Sequence, residues 1–207
     1  MTGKMTQEMI QQYIEQVIVY SRMMYDRGLI SANGGNVSLR CGDDCFLITA
    51  SGAALRNLRR DEILLCGQDG KILEGGEGKV LSKEYRMHLN CYFNRPKAGC
   101  VLHLHPSYSI AFTAYEKELP LYTASARLKL GRVPTIPYAE PGSVSLAEAV
   151  RTAIIENPSS KVFLMKAHGI LVVEQSMEAG FELAELAEDT AKIALLAGDR
   201  LINKRTI

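Results

Sequence analysis

The chain has 207 residues, 47% of them hydrophobic, which suits one compact domain over residues 1–207 with a sizeable core. Its 24 Lys and Arg against 23 Asp and Glu leave a formal net charge of +1, and without a long basic run this argues against a nucleic-acid partner. No run of about 18 apolar residues occurs, and the N-terminal MTGKMTQEMIQQYIEQ lacks a signal-peptide core, so no membrane contact and a cytoplasmic location are expected.

Residues 5–29 are predicted as an amphipathic helix, because Ile10, Tyr13, Ile14, Val17, Ile18, Ser21 and Met24 recur at helical spacing and Gly28 marks its end. SANGGNVSLR then reads as a loop leading into a strand, and CFLITA (45–50) as a second strand. SGAALRNL makes a turn into a helical piece. EILLCGQDGKILEGG reads as two strands joined at Gln68-Asp69-Gly70. A helix is predicted over 83–94, stopped before Pro96. VLHLH is a strand, followed by a helix in PSYSIAFTAY. VPTIPYAEPGS is an ordered, Pro-rich loop with short extended pieces. SLAEAVRTAIIE is a helix whose expected N-cap is Ser145, with Glu148 completing a capping box. KVFLMKAHGILVV is strand–turn–strand, and 175–201 a final helix. The sum is an α/β domain with substantial antiparallel pairing. Five cysteines, an odd number with no C-x-x-C pair, read as reduced thiols that pack as small hydrophobes.

VLHLHP places two of the chain's four histidines, His103 and His105, in an apolar strand. Strand residues i and i+2 share a face, so the two imidazoles project side by side, with Leu102 and Leu104 turned to the core. Two such imidazoles can be plain strand histidines bonded to neighbours, or ligands of one ion. His168, where an apolar strand meets Gly169, supplies a third candidate ligand, and Glu84 in LSKEYRMH a fourth. Buried imidazole nitrogens need partners, and a divalent ion supplies one for each. Such an ion is a Lewis acid towards a carbonyl. His88 is expected to pack or hydrogen-bond on its own helix.

Three further pieces suit an anion. Asn33-Gly34-Gly35-Asn36 can converge backbone N–H groups. Ser51-Gly52 pairs a hydroxyl with a close backbone approach, and Ser82-Lys83 adds a hydroxyl and a cation beside Glu84. Each alone is usually a plain loop. The context of a dinucleotide fingerprint and the Walker Lys-Ser/Thr pair are absent, which argues against NAD and ATP.

Taken in order, GGNVSLR (34–40), ITASG (48–52), SKEYRMH (82–88), VLHLHP (101–106) and KAHGILVV (166–173) resemble the class II aldolase/adducin family over nearly the whole chain. The pattern is most similar to the L-fuculose-1-phosphate aldolase type. The resemblance implies a three-layer α/β/α subunit around a mainly antiparallel sheet, and a homotetramer with active sites at subunit interfaces. It implies His103, His105 and His168 as ligands of one Zn2+ ion, with Mn2+ or another divalent ion as an alternative. Glu84 is implied as both a ligand and the catalytic acid/base. Gly35 and Asn36, Ser51 and Gly52, and Ser82 and Lys83 are implied to bind the phosphate of a small phosphorylated sugar. The implied reaction cleaves a phosphorylated ketose to dihydroxyacetone phosphate and an aldehyde through a metal-stabilised enediolate. Relatives that decarboxylate or dehydrate sugar-acid phosphates, such as 3-oxo-tetronate 4-phosphate, use the same constellation. Many fuculose-phosphate aldolases carry Ser-Ser-Glu where this chain has Ser82-Lys83-Glu84, a form nearer to the decarboxylases. The interface tyrosine of the aldolases aligns only imperfectly with Tyr122. A non-catalytic, adducin-like module is the other class, and it is expected to lack the histidines.

Overall fold

The computed structural model describes residues 6–42, 44–115 and 118–198. Its strands are β1 (Asn36–Arg40), β2 (Cys45–Thr49), β3 (Ile63–Gly67), β4 (Ile72–Glu74), β5 (Cys100–Leu104), β6 (Thr135–Ile136), β7 (Val162–Met165) and β8 (Gly169–Glu174). They form one eight-stranded sheet in the order β4-β3-β2-β1-β5-β8-β7-β6. Every neighbouring pair is antiparallel except β6 with β7. The helices are α1 (Gln7–Asp26), α2 (Tyr85–Asn94), α3 (Ser107–Phe112), α4 (Ala124–Lys129), α5 (Val144–Glu156) and α6 (Met177–Ala197).

Two apolar clusters fill opposite faces of the sheet. On one, Val17 and Met24 of α1, Phe112 of α3, Ala126 of α4 and Ala187 of α6 pack with Leu39, Leu102, Leu104 and Val172. On the other, Met87 and Cys91 of α2 and Val150 and Ile154 of α5 pack with Ile48, Val101, Leu171 and Val173. The result is the expected three-layer α/β/α arrangement. Because β5 is covered on both faces, all five of its residues are buried. Leu102 and Leu104 fill one cluster, and His103 points towards the α2 layer.

Several local expectations are corrected. α5 starts two residues early: the Ser143 hydroxyl accepts from the Leu146 N–H at 3.0 Å and Ser145 lies inside the helix. Ser143 wins because a cap must sit one residue before the first helical residue with extended backbone, here ψ 159. Glu148 pairs instead with Arg151, at 3.0 Å. α2 begins at Tyr85 rather than at residue 83, which leaves Glu84 at the helix mouth. The segment Ala124–Lys129 is helical, capped by the Thr123 hydroxyl, where no helix was expected. Residue 5 of the first expected helix and 199–201 of the last lie outside the described residues. No described helix is long and apolar enough to cross a membrane.

Candidate active site and metal centre

Antiparallel pairing brings the first residue of β1, the last of β2 and β5, and the β7–β8 turn to one end of the sheet. Asn36 pairs with His103, and His103 with Leu171. His168 sits in the three-residue turn 166–168 between the paired Met165 and Gly169. That turn is held from outside: Lys166 N–H donates to Ile136 O at 3.0 Å and Ala167 N–H to the Thr113 hydroxyl at 3.0 Å. Ala167 adopts φ +53, a left-handed conformation disfavoured for a residue with a Cβ. Gly169 next to it has no room for a side chain, because a Cβ would strike the Leu104 carbonyl and approach the His105 ring at 2.9 Å.

The three histidines converge. Their rings lie 4.7 to 5.2 Å apart, and one nitrogen from each falls within 4.8 Å of the others. His103 Nδ1 donates to Ile170 O at 3.0 Å, which leaves a bare lone pair on Nε2. That Nε2 lies 2.9 Å from His105 Nε2 and 3.3 Å from Glu84 Oε2. Glu84 Oε1 is 3.4 Å from His168 Nε2, is buried, and has no hydrogen-bond partner. Burial holds all three imidazoles below the usual histidine range. For His103 the neighbouring imidazoles add to it, for His105 the His168 ring does so, and for His168 the Glu84 carboxylate works against it. The three are therefore neutral at pH 7 and offer lone pairs. Neutral nitrogens and a carboxylate facing one point, with an orphaned carboxylate oxygen, form a donor set that a divalent cation fits.

Glu84 reaches this point because α2 begins after it. Ser82 Oγ accepts the Glu84 N–H at 3.3 Å, and Ser82 O accepts the Tyr85 N–H at 3.1 Å. Asn36 Nδ2 donates to Glu84 Oε2 at 2.8 Å.

The anion pieces lie at the same end of the sheet. Gly35 has φ +81, and a Cβ there would lie 2.7 Å from His103 O, so only glycine lets this loop lie against β5. An isolated bridge between Ala50 and Leu81, with Ser51 N–H donating to Val80 O at 2.9 Å, sets Ser51-Gly52 beside Ser82-Lys83. Ser51, Gly52 and Lys83 are exposed, and Ser82 is buried. The Asn36 side-chain amide is engaged with Glu84 and His88, which leaves its backbone to the loop. Tyr122 is partly buried against the α1–α6 cluster.

Sequence reasoning passed over the wider role of His88. Its Nε2 bonds Asn36 Oδ1 and its Nδ1 bonds Ser38 Oγ at 2.7 Å, which in turn bonds Tyr92 Oη at 2.8 Å. The signal was present as the spacing Glu84, His88, Tyr92, one helix face, opposite Asn36 and Ser38, one strand face. Burial, then the nearby His103, pushes His88 down to about 3. The unfolded chain protonates this residue near pH 6.5 and the folded chain does not. Stability is therefore full above about pH 6.5 and drains as pH falls towards 3, by on the order of 5 kcal/mol in all. Urea unfolding of metal-stripped protein between pH 7 and 4.5 should show this slope added to that of the three other buried imidazoles, and His88→Gln should make the total shallower. Equal slopes would assign the acid sensitivity to other groups.

The model of the class II aldolase and adducin N-terminal domain matches residues 15–195. The chain is 31% identical over 180 residues to an L-fuculose phosphate aldolase of Methanococcus vannielii, covering 87% of this chain and 94% of that one. It is 30% identical over 197 residues to a 3-oxo-tetronate 4-phosphate decarboxylase of Escherichia coli O6:H1, covering 93% and 90%. A solved structure of an L-fuculose 1-phosphate aldolase superposes with a TM-score of 0.83 at 25% identity, covering 94% and 89%. With its family model, its sheet order and its three converging histidines in agreement, this chain belongs to the class II aldolase and adducin family.

Proposed function

We infer that the protein is a metal-dependent sugar-phosphate aldolase, splitting a phosphorylated ketose of the L-fuculose 1-phosphate kind into dihydroxyacetone phosphate and an aldehyde. The observation that carries this reading is the orphaned, buried Glu84 oxygen facing three neutral imidazoles. A divalent ion held by His103, His105 and His168, zinc or manganese, supplies Lewis acidity towards a substrate carbonyl oxygen. Gly35-Asn36, Ser51-Gly52 and Ser82-Lys83 receive the phosphate through backbone N–H groups, hydroxyls and one ammonium. Ser82 can serve both ends, since its oxygen takes the Glu84 N–H while its own proton is free to donate.

In cleavage, the hydroxyl on the aldehyde half gives its proton to solvent water, from which Glu84 is protonated in turn; the carbon–carbon bond breaks, and its electron pair passes to the carbon beside the ketone. Glu84 delivers a proton to that carbon; in synthesis it removes the same proton. Burial keeps water from competing for that transfer.

A second reading has its own support. Ser82-Lys83-Glu84 departs from the aldolase pattern, and the decarboxylase relative covers 93% of the chain. There carbon dioxide leaves in place of the aldehyde, and Glu84 protonates the same carbon. The intact set of three histidines and Glu84 speaks against a non-catalytic, adducin-like role. Incubating the zinc- or manganese-loaded protein with ketose 1-phosphates and sugar-acid phosphates, with products read by mass, separates these. Dihydroxyacetone phosphate is the expected product. Carbon dioxide release would replace the aldolase reading with the decarboxylase, and no turnover of any sugar phosphate would remove both.

A further inference from the structure

Glu84, His88 and Tyr92 lie four residues apart at the mouth and along one face of α2, and Asn36 and Ser38 two apart on the facing side of β1. All five are buried. Their polar atoms form one unbranched chain: Glu84 Oε2, Asn36, His88, Ser38, Tyr92.

The direction of every bond in it follows from its first member. A carboxylate only accepts, so the Asn36 amide must turn its nitrogen to Glu84. Asn36 Oδ1 then faces His88, and His88 Nε2 must donate. A neutral imidazole carries one N–H, so Nδ1 must accept from Ser38 Oγ–H. Ser38 Oγ is left to accept from Tyr92 Oη–H. Burial keeps His88 neutral, which makes this single polarity the only consistent one. The Asn36 bond is also the only hydrogen bond to the Glu84 carboxylate among the described residues.

We propose that His88 is a positioning residue for Glu84: its Nε2–H locks the Asn36 amide so that Nδ2 holds the carboxylate, with Ser38 and Tyr92 fixing the imidazole tautomer. Without that donor, the Asn36 amide is free to rotate and set its oxygen against the Glu84 oxygens. The carboxylate then loses its one charge-assisted hydrogen bond and its fixed place. The kinetic consequence rests on Glu84 being the proton-transferring group, as proposed above; the bond directions do not.

The experiment has two arms. In the first, 15N NMR of the metal-free wild-type protein reads the His88 tautomer. A protonated Nε2 with a bare Nδ1 is expected, and a proton on Nδ1 overturns the proposal. In the second, His88→Leu removes the donor, while His88→Gln keeps an N–H near the place of Nε2. The Leu variant should lose about 10- to 100-fold in kcat with KM within about threefold, since His88 does not touch substrate. The Gln variant should recover most of that kcat. Equal losses in both variants, or a folded Leu variant with wild-type kcat, overturn the positioning role. Should the Leu variant fail to fold, Tyr92→Phe keeps the ring and deletes only the last donor. It should shift the His88 Nδ1 resonance and lower kcat without moving KM, and no change in either overturns the proposal. A wild-type protein inactive on every sugar phosphate sinks the aldolase and decarboxylase readings and leaves the tautomer arm standing. An active wild type with unaffected His88 variants sinks only this inference.

Discussion

Glu84→Gln is expected to keep a bound divalent ion and to lose at least ~100-fold in turnover, the lower end for a missing general acid–base group. Glutamine nearly matches the carboxylate in volume and can still present an oxygen to Asn36 Nδ2, so the bond now 2.8 Å long can persist. The three imidazoles are untouched, and they make up the larger part of the ligand set. What glutamine cannot do is take or return a proton. The deficit therefore belongs in kcat rather than in ion content. Metal analysis by plasma emission, set beside steady-state turnover on the substrate that the product screen identifies, checks both halves. Near-normal turnover would remove Glu84 from the proton transfer. Loss of the ion together with turnover would make it chiefly a ligand.

The histidine cluster was open to sequence reasoning because its signals are local. The alternation in VLHLHP puts His103 and His105 on one side of a strand, and Gly169 after His168 marks a turn. The layers were legible for a similar reason: α1, α5 and α6 are long enough for a helical period to show. α4 was not, since six residues give a stripe less than two turns long, and its stop and start depend on Thr123. β6 was visible only as a short extended piece, because two residues paired in parallel to β7 at a sheet edge have no alternation to read. The relay from Glu84 to Tyr92 was hidden for a different reason. Each member reads as an ordinary polar residue in its own element. Only the packing of α2 on β1, across 48 to 54 residues of chain, turns them into one set of bonds. That packing also explains the engaged Asn36 amide: the loop places its backbone by the anion pieces, while its side chain is drawn inward by Glu84.

His103→Asn should separate the ion from the fold. The imidazole does two jobs with two nitrogens: Nδ1–H supports β8 by donating to Ile170 O at 3.0 Å, and Nε2 faces His105 and Glu84. Asparagine carries an N–H close to the place of Nδ1 and nothing at the place of Nε2. The variant therefore keeps the strand contact and deletes one ligand atom at a position that is fully buried. Deleting a ligand should cost at least the ~100-fold in ion affinity that upper-end changes to supporting residues cost. Turnover should fall with it to the background rate. Binding that favours the folded state raises stability by mass action, about 2.7 kcal/mol when free ion is 100 times its Kd. Zinc added to the wild-type protein should accordingly raise its melting temperature, and the same zinc should leave His103→Asn almost unmoved. Metal-free melting of the two proteins should differ far less than their metal-loaded melting, because the cavity left by the smaller side chain is common to both conditions. An undiminished zinc-induced rise in His103→Asn would place the ion elsewhere, and would return the two imidazoles of VLHLHP to the status of buried strand residues bonded to their neighbours.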